Sequence, residues 1–379
     1  MQTTNKINIL FIITQMAMGG SERLVYNIVH KIDRGIFNPS IAWFNGDRVL
    51  KEFSNLEIPL YHVPKIKRFD FNTMKKLGNI IRDNNIHIVN AHHFMPAVYS
   101  YYGCKIADSK KLLYTFHSEW EIKQISRGWR IIGSFLSNRS DGVIGVTEKV
   151  TNTAKEFFKL DSSKVFTIQN GVDINVSENS YEKDIKKNLG IEDNEKVIGI
   201  VANLKRIKNQ IFLLKAFKEL IKILKPVKLL VIGQGFENDI ENTEQELRNF
   251  VDENGLDKNV LFLGYRSDIA ELLKIMDIFC LTSFKEGLPV SLIEAMAAGL
   301  PVVGTNVEGI RDVIITNKNG FLVQLDDING LKDALYNLLK DEALRNKMGN
   351  ESKALAMSNY SITECINKYQ DLFFSLLRQ

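Results

Sequence analysis

Two glutamates, Glu286 and Glu294, with Gly287 and Pro289 between them, are the residues of this chain best placed to do chemistry. A carboxylate accepts two hydrogen bonds from vicinal hydroxyls, so one glutamate per ring can read a hexose and a ribose on either side of a diphosphate. Gly287 and Pro289 punctuate the chain after the apolar run Ile278–Leu281. Proline is tolerated in a first helical turn, where its missing N–H costs nothing, so a helix is predicted to begin near Pro289. The unsatisfied N–H groups of that terminus and the positive end of its dipole suit a phosphate. The plainer alternative has Glu286 capping the helix and Glu294 solvated on it.

Other candidate residues also follow apolar runs. After residues 7–13 comes Gly19-Gly20-Ser21-Glu22, in which Ser21 is placed to cap a helix through Leu24, Ile28 and Val29. A glycine pair lets backbone approach a ligand closely, although a tight turn explains it equally and no G-x-G-x-x-G fingerprint is present. His117 follows residues 112–116, where an imidazole can donate to a sugar hydroxyl or steady developing charge. His92 and His93 are either acceptor contacts or ordinary loop residues, and their adjacency argues against shared metal ligation. The run containing Asn203, Lys205, Arg206 and Lys208 sets three cations where a phosphate leaving group needs neutralising, with Lys208 the foremost and a solvated charge run the alternative. Gly233, and Gly264 with Tyr265 and Arg266, follow the next two runs and can line a nucleotide.

Such residues need a scaffold that gathers loops at one edge. Short β-branched runs alternate with longer amphipathic segments, the pattern of βαβ units and parallel sheets, whose ligands bind beyond the carboxyl ends of strands. Strands are predicted at residues 7–13, 40–44, 60–63, 87–91, 112–116, 142–146 and 165–168, then at 197–201, 228–232, 260–263, 278–281, 301–304 and 321–323. The C-terminal third reads as helices at 329–339, 342–356 and 362–377, with Tyr360-Ser361 as a break. At 379 residues the chain suggests two domains. The polar stretch 175–184 contains the expected linker, giving domains 1–175 and 176–361.

The net charge of +4 is unevenly spread: residues 1–175 hold 23 basic against 15 acidic side chains, and residues 176–379 hold 26 against 30. The densest basic run, from Lys65 through Lys67 and Arg68 to Lys75 and Lys76, interleaves with Phe69, Phe71 and Met74. It suits a peripheral contact with anionic lipid, or else a solvated loop and helix start. The small net charge and lack of a recognisable module argue against nucleic acid. No segment approaches a membrane span, and residues 7–13 read as a first strand, so both domains are expected to be soluble. Cys104, Cys280 and Cys365 are too scattered for a disulfide framework or a zinc site, which points to a reducing cytoplasm.

With Gly19-Gly20, His117, Asn170-Gly171-Val172-Asp173, Lys208, and Glu286 and Glu294 in this order, the chain resembles the retaining glycosyltransferases of family 4 over essentially its whole length. The resemblance implies the GT-B fold, two Rossmann-like domains facing across a cleft, with the last helix, about 362–379, crossing back onto the first domain. It implies a C-terminal domain that holds the nucleotide sugar and an N-terminal domain that holds a glycan or lipid-linked acceptor, in surface polysaccharide synthesis. Glu286 would contact the transferred sugar, with the backbone of Gly287, Leu288, Pro289, Val290 and Ser291 beside the diphosphate and sugar. Glu294 would hold the ribose, Lys208 the leaving diphosphate and His117 the reaction centre, with the Gly20 backbone near the diphosphate. Many members carry Gly-Arg before the lysine; Asn203 stands at the arginine position, so Lys205 or Arg206 takes over its contact or the site has fewer cations. No metal or other cofactor is implied. Rival readings are a GT-B nucleotide-sugar epimerase, a dinucleotide-dependent oxidoreductase without its fingerprint, and a catalytically silent sugar-nucleotide or lipid-glycan binding protein.

Overall fold

The computed structural model describes residues 6–16, 19–46, 49–65, 69–107, 111–173, 182–236 and 239–378. The chain divides into two compact units, one of Met1–Gly171 with Ile362–Gln379 and the other of Val172–Ser361. The expected linker, 175–184, falls largely outside the described residues, which resume with the helix Glu182–Asn188.

The first unit is built on strands β1 (Ile7–Gln15), β2 (Phe37–Asn45), β3 (Leu60–His62), β4 (Ile88–His92), β5 (Lys111–Phe116), β6 (Gly142–Gly145) and β7 (Val165–Thr167). They pair in parallel in the order β3-β2-β1-β4-β5-β6-β7. Helices cover both faces, so central strands are apolar on both sides: Ile9, Leu10, Phe11, Ile12 and Ile13 are all fully buried. β2 begins at Phe37, three residues ahead of the predicted start, so Pro39 lies within it. Its missing N–H is harmless because β3 pairs only with Ile41, Ala42 and Trp43 further along.

The second unit carries β8 (Lys196–Val201), β9 (Val227–Ile232), β10 (Val260–Gly264), β11 (Ile278–Leu281), β12 (Val302–Thr305) and β13 (Gly320–Val323), in the parallel order β10-β9-β8-β11-β12-β13. In each sheet the order reverses beside the first strand, next to β4 in one and β11 in the other. At such switch points the loops leave in opposite directions and open a crevice at the carboxyl ends.

The last helix, Ile362–Leu377, belongs to the first unit. Phe373 packs edge-on to Phe11 and Phe37, with ring centroids 6.3 and 6.0 Å away, and Gln370 Oε1 accepts from the Asp33 N–H. Among the described residues no helix is long and apolar enough to cross a membrane.

Candidate active site

In the second unit the two loops of the switch point are stitched together. Beyond β8 the chain makes a single 3-10 turn, Arg206–Lys208, and Asn209 adopts the left-handed conformation (φ +50°) to enter the helix Gln210–Leu220. Beyond β11, the Thr282 hydroxyl donates to the carbonyls of Lys208 and Asn209 at 3.3 and 3.0 Å, and the Phe284 N–H to that of Ile207 at 2.8 Å. These bonds bring Lys208 to Glu286: its ammonium donates to Oε1 and Oε2 at 2.7 and 2.9 Å. The Ser283 hydroxyl also donates to Oε1, and Thr305 Oγ1 holds the Ser283 carbonyl at 2.6 Å. A carboxylate clamped in this way keeps a fixed direction while its remaining lone pairs can accept hydroxyl donors.

The next helix is Val290–Ala297, with Pro289 at its N-cap and no side chain capping it. Glu286 therefore does not cap the helix, and the first-turn N–H groups are left for another acceptor. Gly309 supports this loop from behind. At φ +82° an added Cβ would lie 2.3 Å from the Gly287 carbonyl oxygen, so only glycine fits. Leu288 and Pro289 are buried, while Val290, Ser291 and Glu294 are half-buried.

The remaining candidates of this unit flank the pair without joining it. The Asn203 carbonyl accepts from Gln210 Nε2. Lys205 pairs with Asp239 at 2.6 Å and Arg206 with Glu246 at 3.5 Å, so Lys208 alone of the three cations reaches Glu286. Gly233 (φ +136°) presses against the Ala202 carbonyl, where a Cβ would come within 2.0 Å. Gly264 ends β10, Tyr265 is partly exposed, and Arg266 is paired with Asp268.

In the first unit, Gly19 and Gly20 follow β1, His92 and His93 follow or end β4, and His117 follows β5. The helix after β1 is Gly20–Lys31 with Gly19 as N-cap, so Ser21 is not the cap expected of it. The helix starts two residues earlier than that reading required, and the Ser21 hydroxyl turns to Glu22 Oε2 at 2.8 Å. Asn170, of the Asn-Gly-Val-Asp motif, is buried.

His117 sits in a cluster with His92, His93 and Glu121. Ser118 caps the helix Glu119–Lys123 and Glu121 is its third residue, a Ser-x-x-Glu signal that sequence reading passed over. The Glu121 carboxylate accepts from His93 Nδ1 at 3.0 Å, the Phe94 N–H at 3.0 Å and the His117 N–H at 3.4 Å. Burial alone would lower the His93 pKa, but the charge and hydrogen bond of Glu121, with the charge of Glu22, raise it to about 9. Burial likewise disfavours the Glu121 anion, yet His93 holds its pKa below the usual range. Burial and then the charge of His93 push His92 down to about 3. His117 is held well below 6.5 by burial and by the charges of His93 and His92. At neutral pH the cluster thus contains one cation, one anion and two neutral imidazoles.

The neutral pair is joined by His92 Nδ1 and His117 Nε2, 3.0 Å apart. His92 Nε2 is buried with no hydrogen-bond partner among the described residues. A buried N–H without an acceptor is more costly than an unused lone pair, which assigns the His92 proton to Nδ1 and its hydrogen bond to His117 Nε2. His117 then carries its own proton on Nδ1, as a neutral donor.

The basic run flagged in sequence is only partly described: Ile66, Lys67 and Arg68 lie outside the described residues. Phe69, Phe71, Lys75 and Lys76 are exposed, and Lys65 sits 5.9 Å from the centre of the Tyr99 ring. Met74 is not part of that surface; it points from the helix Phe71–Asp83 into the core.

Comparison with known proteins accounts for both units. Residues 18–176 match the family Glycosyltransferase Family 4, and residues 182–355 match Glycosyl transferases group 1. The chain is a family 4 glycosyltransferase. It is 27% identical over 329 residues to the N-acetyl-alpha-D-glucosaminyl L-malate synthase of Bacillus anthracis, covering 86% of this chain and 84% of that one. It is 25% identical to the UDP-Gal:alpha-D-GlcNAc-diphosphoundecaprenol alpha-1,3-galactosyltransferase of Escherichia coli, over 81% of this chain and 80% of that one. Anabaena HepE, solved with UDP and glucose, superposes with a TM-score of 0.83 at 21% identity, over 97% of this chain and 100% of that one. A Rickettsia africae glycosyltransferase superposes with a TM-score of 0.84 at 21% identity, over 99% and 100%. The glycosyltransferase therefore has the GT-B fold.

Proposed function

We propose that this glycosyltransferase moves a sugar, with retention at the anomeric carbon, from a nucleoside-diphosphate sugar to a hydroxyl of a glycan or lipid-linked acceptor in surface polysaccharide assembly. The observation that carries the reading is the Lys208–Glu286 pair at the switch point of the second sheet, followed by an uncapped helix N-terminus. On this reading the second unit binds the donor and the first unit the acceptor. Glu286 accepts hydroxyls of the transferred sugar and Glu294 those of the ribose. The N–H groups around Val290 and Ser291 and the Lys208 ammonium meet the diphosphate, and Lys208 stabilises it as it leaves. Gly19 and Gly20 bring backbone close to the diphosphate. His117, as a neutral donor, steadies the reaction centre. Gly233, Gly264, Tyr265 and Arg266 line the nucleotide. Charge stabilisation comes from these side chains and backbone dipoles, with no requirement for a metal ion or other cofactor. Phe69, Phe71 and the cations around them hold the protein against anionic membrane where a lipid-borne acceptor lies.

Relatives that support the donor and acceptor classes include the Escherichia coli enzyme, whose name gives a UDP-sugar donor and a diphosphoundecaprenol acceptor. Another is the poly(ribitol-phosphate) alpha-N-acetylglucosaminyltransferase of Staphylococcus aureus. The test is a screen of nucleotide sugars for thermal stabilisation, followed by product analysis with and without acceptors. A donor at a hundredfold its Kd should stabilise by about 2.7 kcal/mol. An epimerised nucleotide sugar formed without acceptor, or an inverted anomeric product, would overturn the proposal.

A further inference from the structure

The helix Arg127–Asn138 is turned the wrong way round for a helix on the surface of a protein. It buries Gly133, Leu136 and Ser137, and exposes Ile131 (73%), Phe135 (48%) and Ile132. Ile131 and Phe135 are four residues apart and share one face, the outward one. The orientation is enforced by Gly133. A Cβ there would come within 2.5 Å of the Phe158 ring and 2.9 Å of the Phe94 ring, so the glycine face alone can pack inward. Phe135 stacks edge-on to Tyr101 with ring centroids 6.3 Å apart, Tyr101 to Tyr102 at 5.6 Å, Tyr102 to Phe69 at 6.2 Å, and Phe69 to Phe71, itself 70% exposed. One apolar surface therefore runs from the helix to the start of the helix Phe71–Asp83.

We propose that this surface docks on an anionic lipid bilayer, with Ile131, Phe135 and Phe71 inserted shallowly among the head groups. Its rim is cationic. The helix carries Arg127 and Arg130, no acidic residue, and Arg139 as its C-cap. Arg130 is laid along Phe157, donating to its carbonyl at 3.0 Å, and the Arg139 guanidinium covers the Phe135 ring at 3.7 Å. Lys75 and Lys76 are exposed on the neighbouring helix. Apolar groups ringed by cations match the boundary between acyl chains and anionic head groups. A second copy of the chain fits less well, because a two-fold contact would set arginines against arginines. The helix has 12 residues. That is about 18 Å of helix, too short for a hydrocarbon core of about 30 Å, so it lies on the bilayer. The inference extends the proposal of a membrane-borne acceptor by naming the element that meets the lipid, which the basic run in sequence did not include.

The experiment is sedimentation of the full-length protein with vesicles of phosphatidylcholine alone and of equal parts phosphatidylcholine and phosphatidylglycerol. Binding is expected to the mixed vesicles only. Ile131→Asp combined with Phe135→Asp should weaken it at least about tenfold, since two apolar side chains lose their burial. Lys75→Glu with Lys76→Glu should reduce binding most at low salt. Stabilisation by a nucleotide sugar in solution should be the same in all three proteins, which separates this inference from the reading of the active site. The proposal is overturned if neither vesicle is bound, if the double aspartate variant binds like the parent, or if that variant instead dissolves a dimer seen in equilibrium sedimentation.

Discussion

Replacing Glu121 by glutamine removes one charge from the histidine cluster and leaves its size unchanged. In the parent, His93 has a pKa of about 9 against 6.5 for an ordinary histidine, chiefly because its Nδ1 lies 3.0 Å from the Glu121 carboxylate. A raised value of this kind stabilises the fold fully below pH 6.5, and the contribution is lost as pH rises towards 9. The gap between 6.5 and about 9 corresponds to at most about 3 kcal/mol. His93 keeps 29% and Glu121 17% of its side-chain exposure, so solvent screening reduces the expected value to about 2 kcal/mol. In the variant only burial and the more remote Glu22 remain, and His93 should titrate below its parent value and be largely neutral at pH 7. All six histidines can be followed by nitrogen-15 NMR. The three tryptophans, Trp43, Trp120 and Trp129, all belong to the first unit, so their fluorescence in urea reports the stability of that unit by itself. The parent should exceed the variant by about 2 kcal/mol near pH 6.5, and the gap should close towards pH 9. A parent His93 that titrates near 6.5, or a gap that does not change with pH, would refute the reasoning.

Four further outcomes are expected. Glu286→Ala and Lys208→Ala should each lower sugar transfer by at least about a hundredfold while the far-ultraviolet spectrum is retained, and near-parental rates in either would remove the site assignment. Gly309→Ala forces a Cβ into the Gly287 carbonyl and should cost about 2 kcal/mol or more of stability and weaken donor binding, read by unfolding and titration calorimetry. His92→Asn offers an amide N–H where Nδ1 stood and should keep His117 protonated on Nδ1, whereas His92→Leu should not; nitrogen-15 shifts of His117 that are alike in the two variants would contradict the assigned tautomer. As pH falls below 6.5, His92 resists protonation in the fold with its pKa of about 3 while the unfolded chain takes up the proton, so the first unit should lose stability on the acid side as well; a flat urea midpoint between pH 6.5 and 5 would be inconsistent with this.

The sequence was most legible where one local pattern had one physical meaning. Ile278–Leu281 is a buried four-residue run and was found to the residue, and Pro289 marks the helix start because its missing N–H costs nothing there. Ends moved where pairing decides them, as at Phe37, which joins β2 by partnering Ile7. The Ser21 cap failed because Gly19 can take the N-cap role as well, and nothing in a short sequence window ranks the two. Glu121 was visible as part of Ser-x-x-Glu but not as a histidine partner, since His93 lies on another strand's loop.

By itself the sequence determined the two parallel sheets and the family, because periodicity, turn residues and motif order are properties of neighbours along the chain. Only the tertiary structure decided that Lys208 clasps Glu286 and that Lys205 and Arg206 are engaged elsewhere. The same holds for the charge states of His92, His93 and His117 and for the outward face of the helix Arg127–Asn138. The reason is common to all of them. Which partner a long cation reaches, how much solvent an imidazole keeps and which helix face a glycine lets inward are fixed by groups far away in sequence, through distances of a few ångströms that appear only when the strands are ordered side by side.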